Sequence, residues 1–93
     1  MSTSSADQVR DMMINAVTNG YVGDAALADF TVGGKTGTAE VEGQEPHSWF
    51  IGFVGDPEPR YAVAVLLEHG GTAVRVPVEI GRQVLNQAMV VGG

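Results

Sequence analysis

Several residue types that point to particular functions are scarce or absent in this sequence. None of its 93 residues is a cysteine, which excludes a disulfide framework and a thiol nucleophile. Five basic residues stand against eleven acidic ones, for a net charge of −6, and they form no cluster, which argues against nucleic acid as a partner. The longest apolar run, residues 61–67, is far shorter than the roughly 20 residues of a membrane span. The N-terminus also lacks the charged and apolar segments of a signal peptide.

The N-terminal part of the sequence predicts a helix. Ser5 and Gln8 form a capping box that begins it, and Asn19-Gly20 ends it. Apolar residues repeat at helical spacing between these ends, at Val9, Met12, Met13, Ala16 and Val17. The following stretch, residues 21–30, shows no clear period and is expected to be a loop.

Three strands are predicted next, at about residues 31–41, 48–54 and 61–68. Segment 42–46 is a turn, and the prolines of segment 55–60 cannot donate ladder hydrogen bonds, so that segment is a connection as well. The third strand is apolar on both faces and is expected to be covered on both sides. One face carries Tyr61, Val63, Val65 and Leu67, and the other carries Ala62, Ala64 and Leu66.

A second helix closes the predicted order of elements. The strand pattern breaks at Gly70-Gly71-Thr72, and Pro77 then lies in the first helical turn, where proline is well tolerated. The apolar stripe of this helix consists of Val78, Gly81, Val84, Leu85, Ala88 and Met89. Gly81 is expected to let the helix lie close to the sheet.

The predicted fold class is α+β: an N-terminal helix, a three-stranded antiparallel sheet and a C-terminal helix. They form a single domain over residues 1–93, with residues 1–5 as a flexible leader. Two helices can cover one face of such a sheet, and nothing in the chain is left for the other. Trp49, Ile51 and Phe53 are expected to share a face. The sequence does not decide which of the two apolar sets of the third strand lies under the helices. A partner or a second copy is expected to cover the bare face.

The most informative stretch is Val32–Glu40, which reads Val-Gly-Gly-Lys-Thr-Gly-Thr-Ala-Glu. The run Pro-His-Ser-Trp-Phe-Ile-Gly-Phe at 46–53 predicts a strand that pairs with it. A Lys-Thr-Gly strand, a turn and an aromatic strand resemble the third active-site motif of the penicillin-binding proteins, serine D,D-transpeptidases related to the active-site-serine β-lactamases. The resemblance runs from about Ala6 to Met89 and matches only the C-terminal part of that catalytic domain. It implies a partial β-lactamase/transpeptidase-like fold.

The resemblance implies roles for four neighbouring residues. Lys35 would contribute positive field toward a substrate carboxylate, which the Thr36 and Thr38 hydroxyls would hydrogen-bond. The backbone N–H of Thr38 would supply one oxyanion-hole donor. Gly37 removes a side chain where a ligand must approach the backbone. Lys35 and Thr38 are therefore the candidate catalytic residues, and Lys35, Thr36, Gly37 and Thr38 the candidate substrate-binding set, with no metal and no cofactor.

The other two motifs of that family are absent. Its nucleophile is the serine of Ser-x-x-Lys, but Val32 stands three positions before the only lysine, Lys35. Its Ser-x-Asn is missing too, because the residues two positions before the asparagines are Met13, Val17 and Val84. The chain alone is therefore predicted to be inactive and to need the missing helical half of the domain. The parent would bind a peptidoglycan stem peptide or a β-lactam and be membrane-anchored on the cell-wall side, with this chain a soluble fragment.

Other interpretations of these residues exist. A lysine between glycines on a strand is usually a solvated edge residue that discourages aggregation. A phosphate loop needs a glycine where Asp29 stands, and a helix directly after the lysine. His47 and Ser48 are adjacent in a strand and face opposite sides, so they do not easily form a nucleophile–base pair, and His69 adds no metal-ligand spacing. The alternative function is that of a non-catalytic binding module that associates through the bare sheet face, with a second copy of the chain (a homodimer) as one partner it could take.

Overall fold

A computed structural model describes residues 3–20, 22–55, 58–71 and 74–92 of the chain. The elements are α1 (Thr3–Thr18), a 3₁₀ turn (Gly23–Ala25), β1 (Val32–Ala39), β2 (His47–Val54), β3 (Tyr61–Leu67) and α2 (Arg75–Gly92). The predicted order of helix, three antiparallel strands and helix is confirmed, and with it the α+β class. Of the predicted connections, Tyr21, Asp56, Pro57 and Thr72 lie outside the described residues.

The start of α1 differs from its prediction. The helix begins at Thr3, so Ser5 lies inside it and is not its N-cap. Residues 1–2 of the expected leader lie outside the described part of the chain. The helix ends at Thr18, as predicted from Asn19-Gly20. A Cβ at position 20 would lie 2.9 Å from the carbonyl oxygen of Ala16, so the chain needs a glycine where it leaves the helix.

The three strands form one sheet in the order β1-β2-β3, and both neighbouring pairs are antiparallel. Thr36 lies opposite Phe50, and Phe50 opposite Val65, so these residues share one face. We call it the helix face, because α1 and α2 both pack on it. The opposite side, the open face, carries Lys35, Trp49, Ile51, Phe53, Ala62, Ala64 and Leu66.

Phe50 is at the centre of the core and is fully buried. Its ring fills space that three glycines leave open. A Cβ at Gly34, Gly52 or Gly81 would lie 2.7, 2.5 or 2.4 Å from an atom of that ring. Gly81 therefore lets α2 approach the sheet, as predicted. The buried residues around Phe50 are Val17, Val22, Ala25, Val32, Val54, Val78 and Leu85.

Both predicted helical stripes are wider than the surface that the sheet covers. Val17 is buried, but Val9 and Met12 are 42% and 68% exposed, so the first half of α1 has little cover. On α2, Leu85 is buried while Val84 is 47% exposed, so Val84 lies on the flank of the predicted stripe that the sheet does not cover. Val84 belongs to a second apolar stripe at helical spacing, made of Val76, Ile80, Val84 and Val91.

None of the described helices covers the open face, as the sequence predicts. Of the two alternatives for β3, the set containing Tyr61 and Val65 lies under the helices. The set containing Leu66 faces outward, where Leu66 is 59% and its neighbour Ile51 is 48% exposed. Within the described ranges, no helix is long and apolar enough to cross a membrane.

Candidate functional site

β1 carries the four candidate site residues at an edge of the sheet. Its neighbour within the described sheet is β2, which leaves the other side of the strand open to pairing. Lys35 is exposed on the open face, and Thr36 is only 8% exposed on the helix face. Thr38 shares the helix face with Thr36 but is exposed near the end of the strand. The lysine and threonine side chains of β1 therefore alternate between the two faces, as the period of two of a strand requires.

Two aromatic rings of β2 lie over glycines of β1 on the open face. A Cβ at Gly33 would lie 2.3 Å from the Phe53 ring, and one at Gly37 would lie 2.3 Å from the Trp49 ring. Lys35 stands between these two glycines on the same face of the strand. The contact shows a reason for Gly37 that the sequence did not reveal, because its missing side chain makes room for Trp49. A ligand approach at Gly37 stays a prediction.

On the helix face, the threonines of β1 adjoin a serine of β2. Ser48 lies directly across the ladder from Thr38. It is fully buried, and its Oγ has no hydrogen-bond partner among the described residues. Sequence reasoning considered Ser48 only as a nucleophile beside His47. Its position opposite Thr38 follows from the register in which β1 pairs with β2.

Two histidines connect the strand ends near this site. The backbone N–H of His69 donates to Nδ1 of His47 at 2.8 Å, and the two rings are 4.7 Å apart. Nδ1 of His69 lies 3.0 Å from the carbonyl oxygen of Glu45, so this nitrogen carries a proton. His69 adopts the left-handed conformation with φ of 53°, which is uncommon for a non-glycine residue. The two histidines thus hold the turn after β3 against the β1–β2 connection.

The hydrogen bond to His47 restricts the lone pairs that its ring offers to another ligand. Because Nδ1 of His47 accepts a hydrogen bond, the neutral ring carries its proton on Nε2 and offers no free lone pair there. No group of three or more histidine, cysteine or acidic residues lies together in the part of the chain that the structure describes.

Lys35 is the only charged residue of β1. Three of the four arginines lie on the helices or beside them, close to carboxylates: Arg10 near Asp7 and Asp11, Arg75 near Asp24, and Arg82 near Glu79. The hydrogen bond from Arg82, 2.7 Å long, lowers the pKa of Glu79, and a second bond from Gln83 acts in the same direction. These arginines form ion pairs away from β1. Lys35 is the cation that β1 contributes to the candidate site.

An apolar groove of about 560 Å³ lies between α1 and β1. Its β1 wall consists of Gly34 and Lys35. Its α1 wall consists of Val9, Met12, Met13, Asn15 and Ala16, followed by Gly20. The exposed part of the α1 stripe therefore faces the same region as the lysine.

Comparisons with known proteins show the family of this chain. The family described as penicillin binding protein transpeptidase domain matches residues 1–86. The peptidoglycan D,D-transpeptidase PbpA of Mycolicibacterium smegmatis is 37% identical over 73 residues, which are 69% of this chain and 15% of that protein.

Solved structures of transpeptidase domains resemble this chain over all or nearly all of its length. The D,D-transpeptidase domain of a peptidoglycan glycosyltransferase from Eggerthella lenta has 38% identity and a TM-score of 0.87, covering 100% of this chain and 22% of that one. The imipenem acyl-enzyme complex of penicillin-binding protein A from Mycobacterium tuberculosis has 32% identity and a TM-score of 0.82, covering 96% and 20%. The chain thus spans about a fifth of these structures, and it belongs to the penicillin-binding protein transpeptidase family.

Proposed function

We propose that this chain is the C-terminal subdomain of a peptidoglycan D,D-transpeptidase and supplies the strand that binds the substrate carboxylate. The observation that carries the proposal is the open edge of β1, where Lys35, Thr36 and Thr38 lie together in a chain of this family. The proposed reaction is the cross-linking of stem peptides on the cell-wall side. β-Lactams would bind at the same strand, in keeping with the imipenem complex of the relative.

The edge of β1 can do three things for such a substrate. Backbone groups on the side of β1 away from β2 can form ladder hydrogen bonds with an extended peptide, which adds a strand to the sheet. Lys35 and the threonine hydroxyls can then bind the carboxylate of that peptide. The N–H of Thr38 can donate to the oxyanion, and one such donor is typically worth about 2.7–4 kcal/mol in the transition state. None of these contacts needs a nucleophile from this chain.

The rest of the domain would supply the nucleophile and cover the apolar surfaces. The uncovered residues lie on α1, on the open face and on α2, and include Met12, Leu66 and Val91, which are 68%, 59% and 76% exposed. Apolar surface of this extent is characteristic of an interface. We infer that the helical half of the parent domain packs there and brings its serine to the edge of β1.

Binding of a stem peptide to the isolated chain tests the proposal. We expect a peptide that ends in two D-configured residues with a free carboxylate to shift the amide NMR signals of Thr36, Gly37 and Thr38. Affinity is expected to be low, because much of the cleft belongs to the missing half.

The matched control ligand is the same peptide with an amidated C-terminus, and the matched control protein is Lys35→Ala. Both should lose most of the shifts, since each removes one partner of the charged contact. Equal shifts from acid and amide would contradict carboxylate recognition by this strand.

A binding module that associates through the open face is the second candidate function. The exposure of Ile51 and Leu66 on that face favours it. We expect the free chain to self-associate in sedimentation equilibrium at micromolar concentration. A specific dimer would need to bury about 800 Å² on each partner. Leu66→Glu should shift the equilibrium toward monomer, because association would bury the new charge.

The control for this experiment is Met12→Glu, which adds the same charge at an exposed position on α1. It should leave association through the open face unchanged. A monomeric wild-type chain would contradict this second function, as would equal effects of the two variants.

A further inference from the structure

We propose that Ser48 is a positioning residue for Thr38: its hydroxyl donates to Thr38 Oγ1 when Thr38 binds a carboxylate. This inference rests on the proposed function and assigns a role to a residue outside the Lys-Thr-Gly strand. Its starting point is the buried Oγ of Ser48, which has no hydrogen-bond partner among the described residues. Buried hydroxyls are nearly always hydrogen-bonded, so an unpartnered one requires an explanation.

The surroundings of Ser48 leave it few possible partners. A Cβ at Gly70 would lie 2.6 Å from the Ser48 oxygen and 2.7 Å from a methyl carbon of Leu67. The turn after β3 therefore closes directly over the hydroxyl and leaves no room for a water on that side. Leu67 lies across the ladder on β3 and offers an apolar side chain. A hydrogen-bond partner for the hydroxyl can therefore lie only on the side toward β1.

Thr38 occupies the β1 side. It lies directly opposite Ser48 in the ladder and on the same face. Side chains in such pairs have Cβ atoms about 4.5–5.5 Å apart, and threonine–serine pairs form hydrogen bonds across strands. Thr38 is exposed, whereas Ser48 is fully buried, so one hydroxyl of the pair can meet a ligand and the other can only meet its neighbour.

The direction of the hydrogen bonds follows from the groups involved. A carboxylate is an acceptor only, so Thr38 must donate its single hydroxyl proton to it. Oγ1 of Thr38 can then accept from Ser48, which has a proton to donate and no other described acceptor. The bond from Ser48 holds Thr38 in the rotamer that faces the ligand and polarises its hydroxyl. Ser48 itself does not touch the ligand.

Stability and binding should respond to Ser48→Ala in different ways. Removing an unpartnered buried hydroxyl should leave the urea midpoint of the chain unchanged or raise it. The same variant should weaken binding of the stem peptide with a free carboxylate, raising Kd about three- to tenfold, as expected for one neutral hydrogen bond. Ser4→Ala, which removes an exposed hydroxyl of α1, should change neither quantity.

A double-mutant cycle distinguishes positioning from a separate effect. Thr38→Val should weaken binding by itself, and Ser48→Ala should weaken it no further in that background, because Ser48 acts through Thr38. Additive effects would overturn the proposal, and so would wild-type affinity or a marked loss of stability in Ser48→Ala. If the wild-type chain shows no carboxylate-dependent binding, the proposed function fails and this inference fails with it. If wild type binds and Lys35→Ala does not, while Ser48→Ala binds normally, only the inference on Ser48 fails.

Discussion

Incubation of the 93-residue chain with a fluorescent penicillin is expected to leave its intact mass unchanged and to give no labelled band on a denaturing gel. Acylation by this family needs a serine activated by a neighbouring base. The chain has no Ser-x-x-Lys, and its only lysine is on β1. A serine hydroxyl without such activation is a weak nucleophile at neutral pH. A complete transpeptidase is therefore expected to be labelled by the penicillin, whereas this chain is expected to carry no label at all.

The positive control is the D,D-transpeptidase domain of the Eggerthella lenta relative under the same conditions. Among the described residues, Ser48 is the serine that adjoins the site, and it is fully buried on the helix face. Its place beneath the turn after β3 leaves it no access to a ligand carbonyl. A stable mass increase equal to one bound penicillin would contradict the expectation and would identify a nucleophile that the family motifs do not include.

The order of elements and the faces on which the candidate site residues lie could be predicted because both depend on local patterns. A strand has a period of two, so the sequence alone places Lys35 and Thr36 on opposite faces. The same period predicts that Trp49, Ile51 and Phe53 share a face, and the register confirms it. The choice between the two faces of β3 depends on where the helices pack, which no pattern within β3 encodes.

The sequence determines the rotation and the ends of the helices less well. A helical stripe shows which residues are apolar but not which flank of the stripe meets the sheet. Val84 and Leu85 are neighbours in the predicted stripe, yet Leu85 is buried and Val84 is 47% exposed. Close contact of Gly81 with Phe50 fixes the rotation of α2, and that contact joins residues far apart in the chain. The early start of α1 at Thr3 shows in turn that a capping box within a longer helix does not have to begin it.

Contacts between distant residues also explain what was missed at the site. His47 and His69 are 22 positions apart, and their hydrogen bond follows from how the turn after β3 returns over β2. The same turn places Gly70 over the Ser48 hydroxyl. Neither contact has a sequence signal of its own. A prediction of the register between β1 and β2 would have placed Ser48 directly opposite Thr38.

In a complete transpeptidase domain that carries this segment, Lys35→Ala is expected to lower the rate constant of acylation by roughly one to two decades. The appropriate protein is a chimera in which this chain replaces the matching segment of the Eggerthella lenta domain, to which it is similar with a TM-score of 0.87. Lys35 is exposed on the face of β1 between the glycines that Phe53 and Trp49 cover. In the role proposed for Lys35, its removal deletes a hydrogen bond to a charged carboxylate, and such a bond typically contributes about 1.5–3 kcal/mol.

Matched variants separate this contact from general effects of charge. Arg60→Ala removes another exposed cation, one that lies over the Tyr61 ring, and should leave acylation unchanged. Thr36→Val keeps the shape of the side chain and removes its hydroxyl, and it should lower the rate as Lys35→Ala does. The measurement is the second-order rate constant for labelling by a fluorescent penicillin. Rates equal to wild type in both Lys35→Ala and Thr36→Val would mean that the Lys-Thr-Gly strand is structural in this chain, since removing a group that binds the carboxylate of the penicillin should lower the rate of acylation.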